Sequence, residues 1–343
     1  MKTVRLIDIA KKAEVSEATV SRVLNNKPGV SEDTRQNVLA AIDSMGYERP
    51  TQLREKASGL VGLITPELTN PIFPAFAQAI ETLLARHGYT PMLCTQTTGG
   101  VHEDDFVRTL LERGVSGIIY VSGQHADLNT DPGRYRRLRR RGVPIVLING
   151  FVEGVDAPFI SNDDVGSMEV AIRFLAQLGH TEIGLATGPE RYVPVVRKAM
   201  GFRHAMRDTI GKDDVEHLIA TTLFTVEGGA EAARQLVDQG VTAIVCGSDI
   251  MALGAIREIR QMGLRVPEDV SVIGYDDSLL VSFTDPPLTT IRQNVQGISE
   301  AAVQALLDEI TGSGTRRGEH LFRPELVVRA STAPAPAGRP PAV

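Results

Sequence analysis
Apolar positions near the amino end recur at helical spacing. In LIDIAKKA (6–13), Leu6, Ile9, Ala10 and Ala13 share one face. Val20, Val23 and Leu24 line a second helix over 17–24; Val38, Leu39 and Ile42 line a third that ends near Gly46. The same signal opens the second and third helices: VSEAT at 15–19 and VSEDT at 30–34. Ser16 and Ser31 are N-caps in this reading, because a serine hydroxyl accepts from a free amide of the first turn. The Asn-Asn-Lys-Pro-Gly run at 25–29 breaks the chain between them. Two short helices joined by a few residues suggest a helix-turn-helix, whose second helix enters the major groove. That helix turns Glu17, Ala18, Ser21 and Arg22 outward. A plain three-helix bundle fits the same spacing.

From residue 60 the pattern changes to short apolar runs separated by helical stretches. Strands are expected at 60–65, 91–94, 117–122, 144–148, 182–187, 242–246 and 270–274. Helices are expected at 71–87, 103–113, 165–178, 194–209, 227–239, 250–262 and 295–311. Such alternation means an α/β body of parallel sheets covered by helices on both faces. Ligands bind such sheets beyond the carboxyl ends of the strands. Polar and aromatic residues gather there: Asn70 and Phe73, then Asn149, then Tyr192, Arg197 and Lys198, then Ser248 and Asp249, then Asp276 and Asp277. Capping explains any one of these, and Asp249 and Asp277 are expected to cap. Five clusters on one edge point to a cleft.

Length and composition narrow the function. A chain of 343 residues implies two or three domains. No apolar run approaches the ~20 residues of a membrane span, and MKTVRLIDIAKKAEV lacks a signal peptide's apolar region. Cys94 and Cys246 lie in apolar runs without metal or redox spacing. A cytoplasmic protein is expected, with no membrane partner. Residues 1–60 hold ten Lys/Arg against eight Asp/Glu, while the rest hold 26 against 34. A slightly basic head on an acidic body fits a nucleic-acid-binding head. Phosphate-loop, nucleophile-elbow and zinc-helix motifs are absent, and His180, in LGHTEI, reads as a capping residue. Neither an enzyme nor a cofactor is expected.

The stretch LIDIAKKAEVSEATVSRVLNNKPGVSEDTRQNVLAAIDSMGY resembles the DNA-binding head of the lac repressor/galactose repressor (LacI/GalR) family, and the resemblance runs on through residue 332. It implies a helix-turn-helix domain over 1–49, a hinge over 50–59, and an effector-binding and dimerisation domain over 60–332. The last consists of two periplasmic-binding-protein-like, doubly wound subdomains, with the chain crossing between them near 160, 291 and 322. By position, Glu17, Ala18 and Arg22 fall where the family reads bases; Thr19, Ser21 and Asn25 fall at or near phosphate contacts. The chemistry agrees, since Arg22 can grip guanine O6 and N7 together and Glu17 can accept from a cytosine amino group. Leu53 stands where the family wedges a leucine into the minor groove, although Pro50 and Thr51 depart from the usual hinge.

LGHTEIGLATGP, SDIMALGAI, VPEDVSVIGYDD and PPLTTIRQ are landmarks of the family's effector domain. The resemblance puts Asn149, Lys198, Ser248 and Asp276 where members hold sugar hydroxyls, and Phe224 where an aromatic packs on the ring. Three depart from the pattern: Asn149 replaces an acid, Ser248 an amide, and Lys198 an arginine. The implied protein is a homodimeric repressor on a pseudo-palindromic double-stranded DNA operator, released by a small sugar. The stretches ERPTQLR, YVPVVRK and IIYVSGQHAD look like actinobacterial repressors of cellobiose and maltose utilisation, cellobiose being favoured. A regulator answering a non-sugar metabolite is the alternative; a sugar-transport protein or sugar-modifying enzyme is a more distant one. The Pro/Ala-rich tail, 333–343, is expected to be disordered.

Overall fold
A computed structural model describes residues 4–24, 29–45, 47, 59–96, 100–313 and 317–336. The chain divides into two units, Met1–Ala57 and Ser58–Val343.

The first unit holds helices α1 (Leu6–Lys12), α2 (Glu17–Leu24) and α3 (Glu32–Met45). The repeated serines cap as their positions dictate. Ser16 Oγ accepts from the Thr19 amide at 3.1 Å, and Ser31 Oγ accepts from the Thr34 amide at 3.3 Å. Each pair also joins its hydroxyls, at 2.9 and 2.7 Å. Ile9, Ala10, Ala13, Val20, Val23, Val38 and Ala41 form the small core. Leu39, expected inside, is 44% exposed: α3 turns Val38 and Ala41 inward, which places Leu39 on the flank. The Asn37 side chain donates to the Ala13 carbonyl at 3.1 Å, tying α3 to the turn before α2.

In the second unit the order is β1 (Gly59–Thr65), α4 (Ile72–Arg86), β2 (Tyr89–Thr95), α5 (Glu103–Glu112), β3 (Gly117–Val121), α6 (Gly133–Arg140), β4 (Ile145–Ile148), β5 (Pro158–Asn162), α7 (Asp164–Gln177), β6 (Ile183–Thr187), α8 (Val193–Ala205), β7 (Ile219–Thr221), α9 (Val226–Asp238), β8 (Ala243–Cys246), α10 (Asp249–Gln261), β9 (Ser271–Asp276), β10 (Thr289–Arg292), α11 (Val295–Thr311), β11 (Gly318–Phe322) and β12 (Glu325–Val327). The described residues make two six-stranded sheets, ordered β11-β5-β4-β3-β1-β2 and β12-β10-β9-β8-β6-β7. All pairings are parallel except β12 on β10. The chain leaves the first sheet after Asn162, returns with α11, which packs on β3, β4 and β5, and crosses again between Phe322 and Glu325.

Alternation along β3 shows why its strand reads as a continuous apolar run. Ile119 and Val121 face α4 and α11, while Ile118 and Tyr120 face the layer holding Leu110 and Leu138. The second sheet buries Ile183, Leu185, Ile244, Val272 and Ile273 in one continuous core.

Three expectations fail here. The tail is ordered through 336: the Ala333 amide donates to Ser271 Oγ at 3.0 Å, its carbonyl lies 3.0 Å from His180 Nε2, and the Ala335 amide donates to the Leu178 carbonyl at 2.8 Å. Residues 337–343 lie outside the described residues. His180 therefore caps nothing; its buried ring joins Thr242 Oγ1, at 2.8 Å, to the tail. The expected hinge also ends earlier than residue 59, because Gly59 already pairs with Tyr89 as the first residue of β1.

Candidate functional site
On α2, Glu17, Ala18 and Arg22 are exposed, while Thr19 and Ser21 are half-buried. Val20 and Val23 point the other way, into the core. The 3.6-residue period thus separates a packing stripe from a polar stripe on eight residues. Gly29 follows with φ 92°, and a Cβ there would meet Arg22 Nη1 at 3.1 Å. Glycine at this position both adopts the left-handed turn and leaves the guanidinium room. Asn25 and Leu53 lie outside the described residues.

In the second unit the expected site residues stand at the carboxyl ends of strands of both sheets, as the α/β switch-point rule requires. Backbone strain collects there. Ser122, Asn149, Asp276 and Asp277 have φ of 46°, 65°, 122° and 59°. Positive φ in residues other than glycine costs energy and concentrates at binding sites. Asn149 donates from Nδ2 to Ser122 Oγ at 3.2 Å. Asn70 is buried and its Oδ1 accepts from the Ile72 amide at 3.3 Å. Phe73, one residue on, packs half-buried on the first sheet's core.

Across from them, Asp276 is buried and its Oδ1 accepts from Gln293 Nε2 at 2.7 Å. Burial pushes its carboxyl well above the usual range, and the neighbouring Asp249 adds to the rise; Gln293, Lys198 and Asn70 oppose it. Among the described residues Oδ2 nevertheless finds no hydrogen-bond partner. The Asn70 amide faces this carboxylate from the first lobe, so the two lobes meet around it. Phe224 follows β7 and lies across the ends of β6 and β8. A Cβ on Gly188 would sit 2.1 Å from its Cε2, and one on Gly247 would sit 3.2 Å from its Cε1. Only glycine lets the ring lie there.

Several expected site residues are held by the protein itself. Lys198 is buried, donates to Asp164 Oδ1 at 2.6 Å, and lies 3.9 Å over the Tyr275 ring. Tyr275 donates to the same carboxylate oxygen at 2.7 Å. Arg197 makes a two-pronged bond to Glu319 at 2.7 and 2.8 Å, joining α8 to β11 across the lobes. Ser248 is the N-cap of α10, accepting from the Met251 amide at 3.3 Å. The Tyr192 hydroxyl accepts from Arg191 at 2.8 Å. Its backbone pairs with Asp127, and Arg191 Nε lies 3.0 Å from Asp127 Oδ2, a second contact between lobes.

Asp249 and Asp277 were expected to cap, and neither does. Asp249 takes both the amide and hydroxyl of Ser278 at 2.7 Å and the Thr290 hydroxyl at 2.6 Å. Asp277 pairs with Arg292 at 2.7 Å and Arg329 at 2.6 Å. Both pin the strained turn that presents Asp276.

Sequence reasoning missed the other unpartnered groups at this edge. Thr65 Oγ1, Ser161 Oγ, Asn162 Oδ1, Thr187 Oγ1 and Gln293 Oε1 are buried with no hydrogen-bond partner among the described residues, all at the ends of β1, β5, β6 and β10. Each sits in or just after an apolar strand, where a lone threonine or amide looks like ordinary strand sequence. Their shared place at one end of the strands was the available signal.

Comparison with known proteins agrees with this division. Residues 5–50 match the profile of bacterial regulatory proteins of the lacI family, and residues 172–332 match the periplasmic binding protein-like domain. The chain is 59% identical over 343 residues to the HTH-type transcriptional regulator MalR of Streptomyces coelicolor, covering 98% of this chain and 100% of that one. It is 34% identical over 334 residues to the transcriptional repressor CytR of Escherichia coli, covering 96% of each. Among solved structures, a complex of the transcriptional regulator CelR with cellobiose superposes with a TM-score of 0.72 at 29% identity, covering 96% of this chain and 99% of that one. The lac repressor dimer bound to operator and an anti-inducer gives 0.70 at 28% identity, covering 97% and 100%. A capped helix-turn-helix, two parallel-sheet lobes around a polar edge, and full-length similarity to transcriptional regulators place this chain in the lacI family.

Proposed function
We propose that this protein is a homodimeric repressor that leaves its operator when a glucose disaccharide enters the cleft between the two lobes. The observation that carries the sugar reading is the row of unpartnered buried oxygens at the strand ends. Asn162 Oδ1 and Gln293 Oε1 can only accept, Asp276 Oδ2 accepts when ionised and donates when protonated, and a buried polar group left unpaired costs about 1–3 kcal/mol. A polyol supplies hydroxyl donors to all three, while Thr65 and Thr187 can donate or accept. Phe224 offers a ring to a pyranose face. Asn149, Tyr192, Arg197, Lys198 and Ser248 complete the proposed lining, and those now bonded internally would exchange partners on sugar entry.

Between the two sugars that the sequence suggests, greater overall identity favours the maltose-type regulator: 59% with MalR against 29% with CelR. The solved CelR complex holds cellobiose, which keeps the β-linked sugar as the second reading. Calorimetry with maltose and cellobiose separates them. An isotherm with maltose and none with cellobiose is expected; the reverse assigns cellobiose, and silence with both removes the carbohydrate reading. Asp276→Asn should then give a protein that holds operator DNA and fails to release it when sugar is added.

On DNA, Arg22 is proposed to grip guanine, Glu17 and Ala18 to read neighbouring bases, and Thr19, Ser21 and Asn25 to hold phosphates. Leu53 is proposed to wedge the minor groove at the operator centre, and Leu53→Ala should weaken specific binding without moving the melting temperature. Two-fold symmetry of the protein would impose the pseudo-palindrome. Leu279, Leu280 and Phe283 are 83%, 70% and 82% exposed in the loop after β9. Such a patch marks a protein interface, and a second copy is the proposed occupant. Sedimentation at micromolar concentration should give a dimer, and Leu280→Asp with Phe283→Asp should give monomers.

A further inference from the structure
On the face of the first sheet covered by α5 and α6, a cavity of about 650 Å³ lies between those two helices. Val107, Leu111 and Leu138 give it apolar walls, and Arg108, Arg134, Arg137, Arg140 and Arg141 ring it. Three acids also line it, and two of them are already engaged. Glu103 is fully buried, bonded by Tyr135, the Gln124 amide and Gln96, with its pKa raised by burial. Asp104 pairs with Arg134 at 3.3 Å, leaving Glu112 exposed. Arg137, Arg140 and Arg141 are exposed and form no ion pair among the described residues.

Two donors of the lining are buried without partners. The Tyr120 hydroxyl and Arg134 Nε each find no hydrogen-bond partner among the described residues. Tyr120 is fully buried, packed edge-on against Tyr135 with centroids 5.2 Å apart, so its hydroxyl cannot swing out to water. Arg134 is fixed by Gln124 and Asp104, which aims its remaining N–H. Leaving two donors dry is costly, and both need an acceptor. All five cations at the rim are arginine, whose planar fork matches phosphate oxygens two at a time. The volume lies within the ordinary range for small-molecule sites, about 300–1,000 Å³.

We infer that the α5–α6 cavity is a second ligand site, for a small phosphorylated metabolite, with the phosphate held by Arg137, Arg140 and Arg141 and the buried Tyr120 hydroxyl and Arg134 Nε–H becoming donors to the ligand's oxygens when the wall shifts to admit it. The inference does not rest on the identity of the cleft sugar.

Calorimetry on the full chain with glucose 6-phosphate, glucose and inorganic phosphate tests it. Saturable glucose 6-phosphate binding is expected in wild type and in Asp276→Asn, with glucose at least tenfold weaker. Arg137→Ala with Arg140→Ala should abolish it. Tyr120→Phe, which removes only the unpartnered hydroxyl, should weaken it about tenfold, the loss for one hydrogen bond to a charged group. Thermal melts within about 2 °C of wild type would show that the exposed-arginine variant is folded, since such surface changes cost little. Equal binding of glucose and glucose 6-phosphate, loss of the phosphate signal in Asp276→Asn, or its survival in the double arginine variant would each overturn the second site. Binding of inorganic phosphate as tight as that of the sugar phosphate would reduce it to a surface charge effect and overturn it too.

Discussion
The head and the body present their candidate residues in opposite ways. On α2, Glu17, Ala18 and Arg22 stand exposed and the structural burden falls on Val20, Val23 and the serine cap. In the body, Lys198, Ser248 and Arg197 are already bonded to Asp164, the α10 amides and Glu319. A helix that docks into a groove of fixed shape can keep its reading groups ready, because DNA supplies all the partners. A cleft that closes must satisfy its polar groups when empty as well, so the same side chain serves structure and binding. The difference predicts that substitutions separate cleanly in the head and not in the body.

The hardest test of that contrast is Lys198→Met. It leaves Asp164 buried without its cation, and breaking such a pair costs about 3–5 kcal/mol, or roughly 10 °C in a body of this size. Adding Asp164→Asn should recover most of the loss. A melting temperature unchanged by Lys198→Met would show that the lysine is free for ligand after all. Next in size, Arg22→Ala should cost about 1–3 kcal/mol in operator binding and relax one base pair per half-site, with the melting curve unmoved. Equal loss on specific and random DNA would reassign Arg22 to the phosphates. Smaller still, Ser16→Ala and Ser31→Ala should each destabilise the head by about 1 kcal/mol, read as faster hydrogen exchange of the α2 or α3 amides. If exchange in both helices is unchanged, the caps are not what holds the doubled motif in place.

How much of this was legible follows the same contrast. The three head helices and their caps are local features, written in 3.6-residue spacing and two serines, and they stand where the spacing puts them. Leu39 misled because spacing fixes a stripe only to within one residue. The body's long helices and central strands were equally plain. Helix α6 was not, since GRYRRLRR buries only Tyr135 and Leu138 and shows no apolar period. β5, β10, β11 and β12 escaped because each pairs with a strand distant in sequence or follows a crossover, as Thr290 with Val327, and β7 escaped because it is three residues long. The order of 333–336 depends on Ser271 and His180, which no local signal connects to a Pro/Ala-rich tail. In the cleft, strand-end position singled out Asn149 and Asp276 as candidates; what it could not show was which groups the protein keeps for itself.

Asp276 gives the finest test, because it is a buried carboxyl of the cleft with one oxygen unpartnered among the described residues. Its carboxyl is buried, raised in pKa by that burial and by Asp249, and one oxygen has no hydrogen bond. The unfolded chain ionises it near the ordinary value of about 3.9, before the folded protein does. Stability is therefore intact below that pH, declines as pH rises toward the folded pKa, and stays reduced above it. Asparagine keeps an oxygen for Gln293 Nε2 and carries no charge to bury, and its substitution also relieves Asp249 of a like neighbour. Asp276→Asn is thus expected to melt higher than wild type at pH 7, by about 2–4 °C for about 1 kcal/mol, with the gain vanishing near pH 4. The same variant is expected to lose its response to sugar, so stability and function would move in opposite directions at one residue. A lower melting temperature at pH 7 would mean that the ionised carboxylate is already satisfied in the empty cleft, and the body would then resemble the head more than its bonding suggests.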